Sequence, residues 1–202
     1  MLKVGITGGI GSGKSIVCQV WQDMGADVMN ADQEAKLLME TDPLLVNQIK
    51  EKFGQEAYTA QGKLNRDYLS REAFQNNRVE ELNQLVHPAV FRETDRRIEY
   101  ARDRGYKLFV KEAALLLNYG KPEQLDYIVV VVAPEHLRIK RVVQRDNISS
   151  EQVKNRISRQ MPQDEMIKFA DYVLENDQDE KTLITKAKAL FNELVQKVES
   201  NN

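Results

Sequence analysis

The chain has 202 residues, 42% of them hydrophobic, and its 29 Lys and Arg against 31 Asp and Glu give a formal charge of −2. That size supports one domain with insertions, and the balanced charge excludes a general attraction to nucleic acid or to an anionic membrane, so any basic site must be local. A single cysteine, Cys18, excludes an intrachain disulfide, and without a signal-like start or 18 consecutive apolar residues the expectation is a cytoplasmic protein that does not contact the membrane.

The first segment, LKVGIT over 2–7, reads as a short buried strand. Ile16, Val17, Val20, Trp21 and Met24 then recur at helical spacing until Gly25 stops them. Further strands are predicted over 26–31, 106–113, 127–133 and 172–176. The run Val129 to Val132 is β-branched without interruption, as in a parallel strand covered on both faces. The class is therefore α/β, with a parallel sheet of about five strands flanked by helices.

Between the second and third strands lies a helical region too long for a simple crossover. Asp42 and Pro43 supply an N-cap and first-turn pair, and Gly54 ends that helix. NRDYLSREAF, RVEELNQLV and PAVFRETDRRIEYARDRG give three more helices, with Pro88 expected at a helix start. After the fourth strand, Pro134 opens EHLRIKRVVQRD, and Ser149 with Gln152 forms a capping box for the next helix. From 138 to 160 this segment carries Arg138, Lys140, Arg141, Arg145, Lys154, Arg156 and Arg159 against Asp146 and Glu151. The expected division is a core of 1–31, 105–135 and 170–202, a helical acceptor-binding insertion of 32–104 and a helical lid of 136–169.

The loop between the first strand and helix, Gly8-Gly9-Ile10-Gly11-Ser12-Gly13-Lys14-Ser15, fits G-x-x-x-x-G-K-[ST] in its required setting. Backbone N–H groups turn inward around phosphate oxygens there, and the helix directs its positive end at the same anion. Lys14 is expected on the β- and γ-phosphates and the Ser15 hydroxyl on Mg²⁺. Neither D-x-x-G nor N-K-x-D occurs, which argues against a signalling GTPase, and VVVVAPEH lacks the acidic strand end of a transporter-type ATPase. A small-molecule kinase remains, with a nucleotide-dependent regulatory binder as the alternative from another class.

GITGGIGSGKS, NADQEAKLL, LNRDYLSREAF, LVHPAV, PEHLRIKRVVQRD, RISRQM and ADYVLEND, in that order, resemble the dephospho-CoA kinase family over nearly the whole chain. The resemblance implies a P-loop kinase fold and phosphorylation of the ribose 3′-hydroxyl of dephospho-coenzyme A by ATP with Mg²⁺, the last step of coenzyme A synthesis; another P-loop nucleotide or small-molecule kinase is the runner-up. It implies a nucleotide site at Gly9, Ile10, Gly11, Ser12, Gly13, Lys14, Ser15, Ile16, Arg145 and Asn176. Asp32, Arg66 and His87 would meet the acceptor, and Ser15 and Glu112 the metal. The chain departs from the family where Ile16 stands for a common Thr, and where Glu112-Ala-Ala-Leu-Leu-Leu-Asn118 replaces D-V-P-L-L-F-E.

The residues alone leave Asp32 divided between a helix N-cap and a carboxylate acting on an acceptor hydroxyl; the resemblance favours the second. Arg138, Arg141 and Arg145 fall on one helix face, with Arg141 the expected γ-phosphoryl contact. Arg138 is expected to matter least, its Ala variant costing little. The partners expected are ATP and dephospho-CoA, without nucleic acid or membrane, in a monomer or weak homo-oligomer.

Overall fold

Five apolar segments become parallel strands: β1 (Leu2–Thr7), β2 (Asp27–Asn30), β3 (Leu108–Glu112), β4 (Tyr127–Val132) and β5 (Tyr172–Glu175). They order as β2-β3-β1-β4-β5, in register with Ile6 opposite both Glu112 and Val129. The computed structural model describes residues 1–118 and 120–200, with Phe74 described by its backbone alone; residues 201 and 202 of the expected core segment lie outside the described residues. The chain forms two units, residues 1–30 with those from 98 onward, and residues 31–97.

In the first unit the alternation of strand side chains sorts the core onto two faces. Val4, Ile6, Val129 and Val131 pack with helices α1 (Lys14–Asp23) and α9 (Glu180–Ser200). Ile128 and Val130 turn the other way, towards Leu117, Leu125 and Met166. Trp21 is fully buried where α1 meets α9; its ring stands edge-on to Phe191 and its indole Nε1 donates to Ala187 O at 2.9 Å. After β4 come α6 (Glu135–Asp146), α7 (Ser150–Ile157) with the expected Ser149 and Gln152 capping box, and α8 (Gln163–Ile167).

Sheet order positions the site. The connection leaving β1 runs to β2 on one side, and that leaving its neighbour β4 runs to β5 on the other. A crevice therefore opens outside the carboxyl ends of β1 and β4. The glycine loop 8–13 leaves β1 at that point, and α6 leaves β4.

The second unit starts with α2 (Ala31–Thr41) and α3 (Pro43–Phe53). Asp42 caps α3 as expected, accepting from Leu44 N at 2.9 Å and Leu45 N at 3.3 Å, and Gly54 ends it. A 3₁₀ turn (Gln55–Ala57) and α4 (Arg66–Ser70) follow, and α4 widens into a π turn over Arg71–Gln75. Arg78 ties this unit together: it ion-pairs with Glu72 at 2.7 Å and Glu81 at 3.2 Å, donates to Lys52 O, and stacks over Phe53.

The structure corrects the expected break at Pro88. RVEELNQLV and PAVFRETDRRIEYARDRG form one 25-residue helix, α5 (Val79–Asp103), with Pro88 inside it. Proline removes the N–H that would bond the carbonyl of Gln84. Gln84 and Pro88 are both exposed, so solvent can serve that carbonyl, while burial of Val86, Ala89 and Val90 holds the helix through the defect.

Trp21→Phe removes the indole N–H and part of a fully buried ring. Thermal or urea unfolding is expected to show a loss of about 2 kcal/mol.

Candidate nucleotide-binding and active site

The glycine loop keeps its shape through contacts on its own outer side. Gly13 has φ +105°, a left-handed conformation, and a Cβ there would stand 2.4 Å from Asn176 Nδ2. Glycine is required for both reasons. Asn176 is buried just past β5, and its Nδ2 donates to Ser12 O at 2.8 Å. Within the loop, Ser12 N donates to Gly9 O, Ile16 N to Gly13 O, and Lys14 Nζ reaches back to Gly8 O at 2.8 Å.

Ile10 is held from both sides by the segment that follows β4. Its N–H donates to Gln160 Oε1 at 2.8 Å, and its carbonyl accepts from Arg138 Nε at 3.0 Å. Arg138 is 5% exposed. Burial pushes its guanidinium below the usual range, and the Glu135 carboxylate partly opposes this. Arg138, to which the sequence assigns no contact, is thus buried against the loop.

The three arginines of α6 share a face and diverge in role. Arg141 is half-buried and donates to Asn176 O, to Asn176 Oδ1 at 3.1 Å and to Gln178 O at 3.5 Å. In this structure its guanidinium is thus held by the loop after β5. Arg145 is exposed and ion-paired with Asp146 at 2.7 Å, and Asp146 also accepts from Arg156 at 3.1 Å. These bonds, that from Arg145 first, hold the Asp146 carboxyl below its ordinary range.

A cleft of about 380 Å³ opens between these elements, lined by Lys14, Ser15, Ile16, Arg141, Arg145 and Asn176 among others. Glu112 is buried at the end of β3 and accepts from Asn30 Nδ2 at the end of β2. Its charge and that of Lys14 both act on Cys18. Burial chiefly, with repulsion from Glu112, pushes the Cys18 thiol up to about 12, which fits the expectation of a small buried hydrophobe rather than a nucleophile.

The structure thus brings Lys14, Ser15, Arg141, Arg145 and Asn176 together and puts Glu112 in the same unit. Asp32, Arg66 and His87 belong to the other unit. β2 runs directly into α2 at Ala31, so Asp32 lies within the first turn of that helix and is neither a strand end nor an N-cap; it is exposed. Arg66 is the first residue of α4, capped by Asn65, and lies 3.7 Å from Glu40. His87 is half-buried inside α5.

The loop-to-helix cradle and its lysine have the form of a P-loop, on a P-loop kinase fold. The family profile of dephospho-CoA kinase matches residues 2–182. The chain belongs to the dephospho-CoA kinase family. A dephospho-CoA kinase of Salinibacter ruber is 45% identical over 192 residues, covering 95% of this chain and 96% of that protein. One from Corynebacterium diphtheriae is 37% identical, covering 98% and 100%. The crystal structure of the Thermus thermophilus protein TT1252 superposes with a TM-score of 0.79 at 32% identity, covering 96% of this chain and 97% of that one.

Sequence reasoning did not single out Gln160 or Asn30, and it gave Arg138 no contact. Gln160 stands in RISRQM, a segment that carries the family resemblance, but nothing local says that its amide meets a loop 150 residues away. Asn30 opposes Glu112 in the β2 and β3 register, which follows from strand order rather than from sequence.

Cys18 supplies a test with a defined sign. Its native pKa of about 12 against an ordinary thiol value of 9.0 means that the unfolded chain loses this proton first as pH rises. Stability is therefore fully present below pH 9 and declines between pH 9 and 12. Cys18→Ala is expected to flatten that decline, and native Cys18 should resist thiol reagents at pH 8 until denaturant is added.

Proposed function

We propose that this chain transfers the γ-phosphoryl group of ATP to the ribose 3′-hydroxyl of dephospho-coenzyme A, giving ADP and coenzyme A, the last step of coenzyme A synthesis. The observation that carries this reading is the convergence of Lys14, Ser15, Arg141, Arg145 and Asn176 on one cleft in a chain of this family.

The loop from Gly9 through Gly11 to Ile16 cradles the triphosphate, with Lys14 moving from Gly8 O to the β- and γ-phosphates. Arg141 meets charge that develops on the transferred group, and Arg145 and Asn176 bound the nucleotide. Asp32 orients the acceptor hydroxyl and takes its proton as the new P–O bond forms. Arg66 and His87 hold the acceptor's phosphates or its pantetheine arm. Closure of α6 to α8 as a lid excludes water that would hydrolyse ATP.

Ser15 and Glu112 fit Mg²⁺. Both are hard oxygen donors, and Glu112 and Lys14 act on the same buried thiol. Among the described residues no cluster of three or more His, Cys, Asp or Glu is placed to hold a metal; Mg²⁺ bound through one or two protein oxygens, water and substrate phosphates does not need one. When bound, it neutralises charge on the β- and γ-phosphates. Among the described residues no helix is long and apolar enough to cross a membrane. A cytoplasmic monomer or weak homo-oligomer acting on small molecules completes the reading.

ADP formation measured with Mg-ATP and dephospho-CoA, adenosine or AMP tests the acceptor. Turnover is expected with dephospho-CoA; fast turnover with AMP alone would overturn it. Slow hydrolysis indifferent to all three would favour a nucleotide-dependent binder.

Lys14→Ala should lower turnover at least ~100-fold with the fold intact. Asp32→Asn should leave ATP binding and Tm nearly unchanged, since Asp32 is exposed and caps no helix, while kcat falls steeply. Unchanged kcat would remove Asp32 from the chemistry. Arg141→Lys should retain more kcat than Arg141→Ala, because the charge survives and the planar fork does not.

A further inference from the structure

Arg138 combines features that a structural arginine does not need. It is 5% exposed, and the charge of the Glu135 carboxylate offsets the cost of its burial only in part. A buried cation of this kind is costly unless an anion compensates it. Its surroundings are the glycine loop. The Nε donates to Ile10 O at 3.0 Å, and a Cβ on Gly9 would lie 2.4 Å from Nη2 and 2.6 Å from Cζ. Gly9 therefore lets the guanidinium lie directly against the loop backbone. Gln160 holds the N–H of the same Ile10 at 2.8 Å. One loop residue is thus clamped through both its peptide groups.

We propose that Arg138 is a positioning residue for phosphoryl transfer: from the outer side of the glycine loop it fixes Ile10 and places a buried positive charge whose counter-ion is the phosphate chain of the nucleotide bound on the inner side. The proposal rests on the nucleotide-site reading. Only a loop backbone without a Cβ at Gly9 would separate charge from anion, and Arg138 is itself withdrawn from solvent, so their attraction is weakly screened. Arg138 acts through Ile10 and through its field, touching no reacting atom.

A structural role and this role predict opposite results. If Arg138 only braced the loop through Ile10, its replacement would lower the Tm of the nucleotide-free protein, and a replacement that keeps a donor for Ile10 O would keep nucleotide affinity. If it awaits a phosphate, a neutral replacement relieves an only partly compensated buried charge, so that Tm is unchanged or raised and phosphate recognition is lost.

The test is Arg138→Gln, which keeps a donor for Ile10 O and removes the charge, with Arg138→Met and Arg138→Lys beside it. Tm and binding of ATP, inorganic triphosphate and adenosine are measured by thermal shift and calorimetry on the full chain. Expected for Arg138→Gln are an unchanged or higher Tm, ATP and triphosphate binding weakened about tenfold or more, and adenosine binding unchanged. Arg138→Lys should recover most of the triphosphate binding, which a role in shape alone would not give. Wild-type triphosphate affinity in folded Arg138→Gln overturns the proposal, as does equal weakening for adenosine. If Gln fails to fold, Met is read in the same way, and failure of both to fold assigns Arg138 to structure and also overturns it. Absence of ATP and triphosphate binding by the wild-type chain would instead remove the nucleotide-site reading itself.

Discussion

Backbone amides that converge on one anion repel one another, and no hydrogen bond within so short a loop can hold them all in place. The shape of the loop after β1 is therefore set from outside. Asn176 holds Ser12 O, Arg138 holds Ile10 O, Gln160 holds Ile10 N–H, and Lys14 closes back on Gly8 O. Three of these supports come from the segments that follow β4 and β5, so the loop is only as well defined as the packing of those strands. That packing is the buried run Ile128 to Val131 and the α1 and α9 layer around Trp21. The apolar core and the phosphate site are mechanically one object.

What was legible in the sequence is what is encoded locally. The strand, glycine loop and helix at the start, the β-branched run of β4, the Asp42 cap and the Ser149 capping box each depend on residues within a turn or two of one another. Misreadings arose where a local rule met a distant constraint. Pro88 is a helix breaker by propensity, yet burial on the opposite face of α5 outweighs it. Asp32 has the composition of an N-cap, but β2 passes into α2 without the intervening turn that a cap residue needs. Arg138 has the composition of a surface charge, and only the fold shows that its turn of α6 faces the loop.

The basic segment shows the same limit for charge. Seven cations against two carboxylates over 138 to 160 read as one anion-attracting surface. In the structure Asp146 engages both Arg145 and Arg156, Arg141 is held by carbonyls of the loop after β5, and Arg138 is withdrawn from solvent. Exposed pairs such as Arg145 with Asp146 contribute little to stability, and a phosphate arriving at Arg145 must compete with a carboxylate. Long-range attraction is thus weaker than the charge count implies. The cation of this segment that lies against the loop, Arg138, is also the least exposed.

The attachments of α6 to α8 limit how a lid could close. Gln163 exchanges two hydrogen bonds with Ala133, its Oε1 accepting from Ala133 N at 3.0 Å and its Nε2 donating to Ala133 O at 3.1 Å. Together with Gln160 and Arg138 on Ile10, this fixes both the entry and the exit of the segment to the core. Val142 and Val153 stay buried beyond that root, with Val142 against Gly11, so freedom is left to the surface side chains, whose ion pairs at Asp146 exchange with water at little cost. Bringing Arg141 from Asn176 towards a phosphate chain is then a change of its own side-chain rotamer rather than a swing of α6, and it leaves Ile10 undisturbed. On the proposed reading, the loop keeps its shape while only a guanidinium is redirected, because Arg138 and Arg141, one turn apart on α6, are tied to different loops.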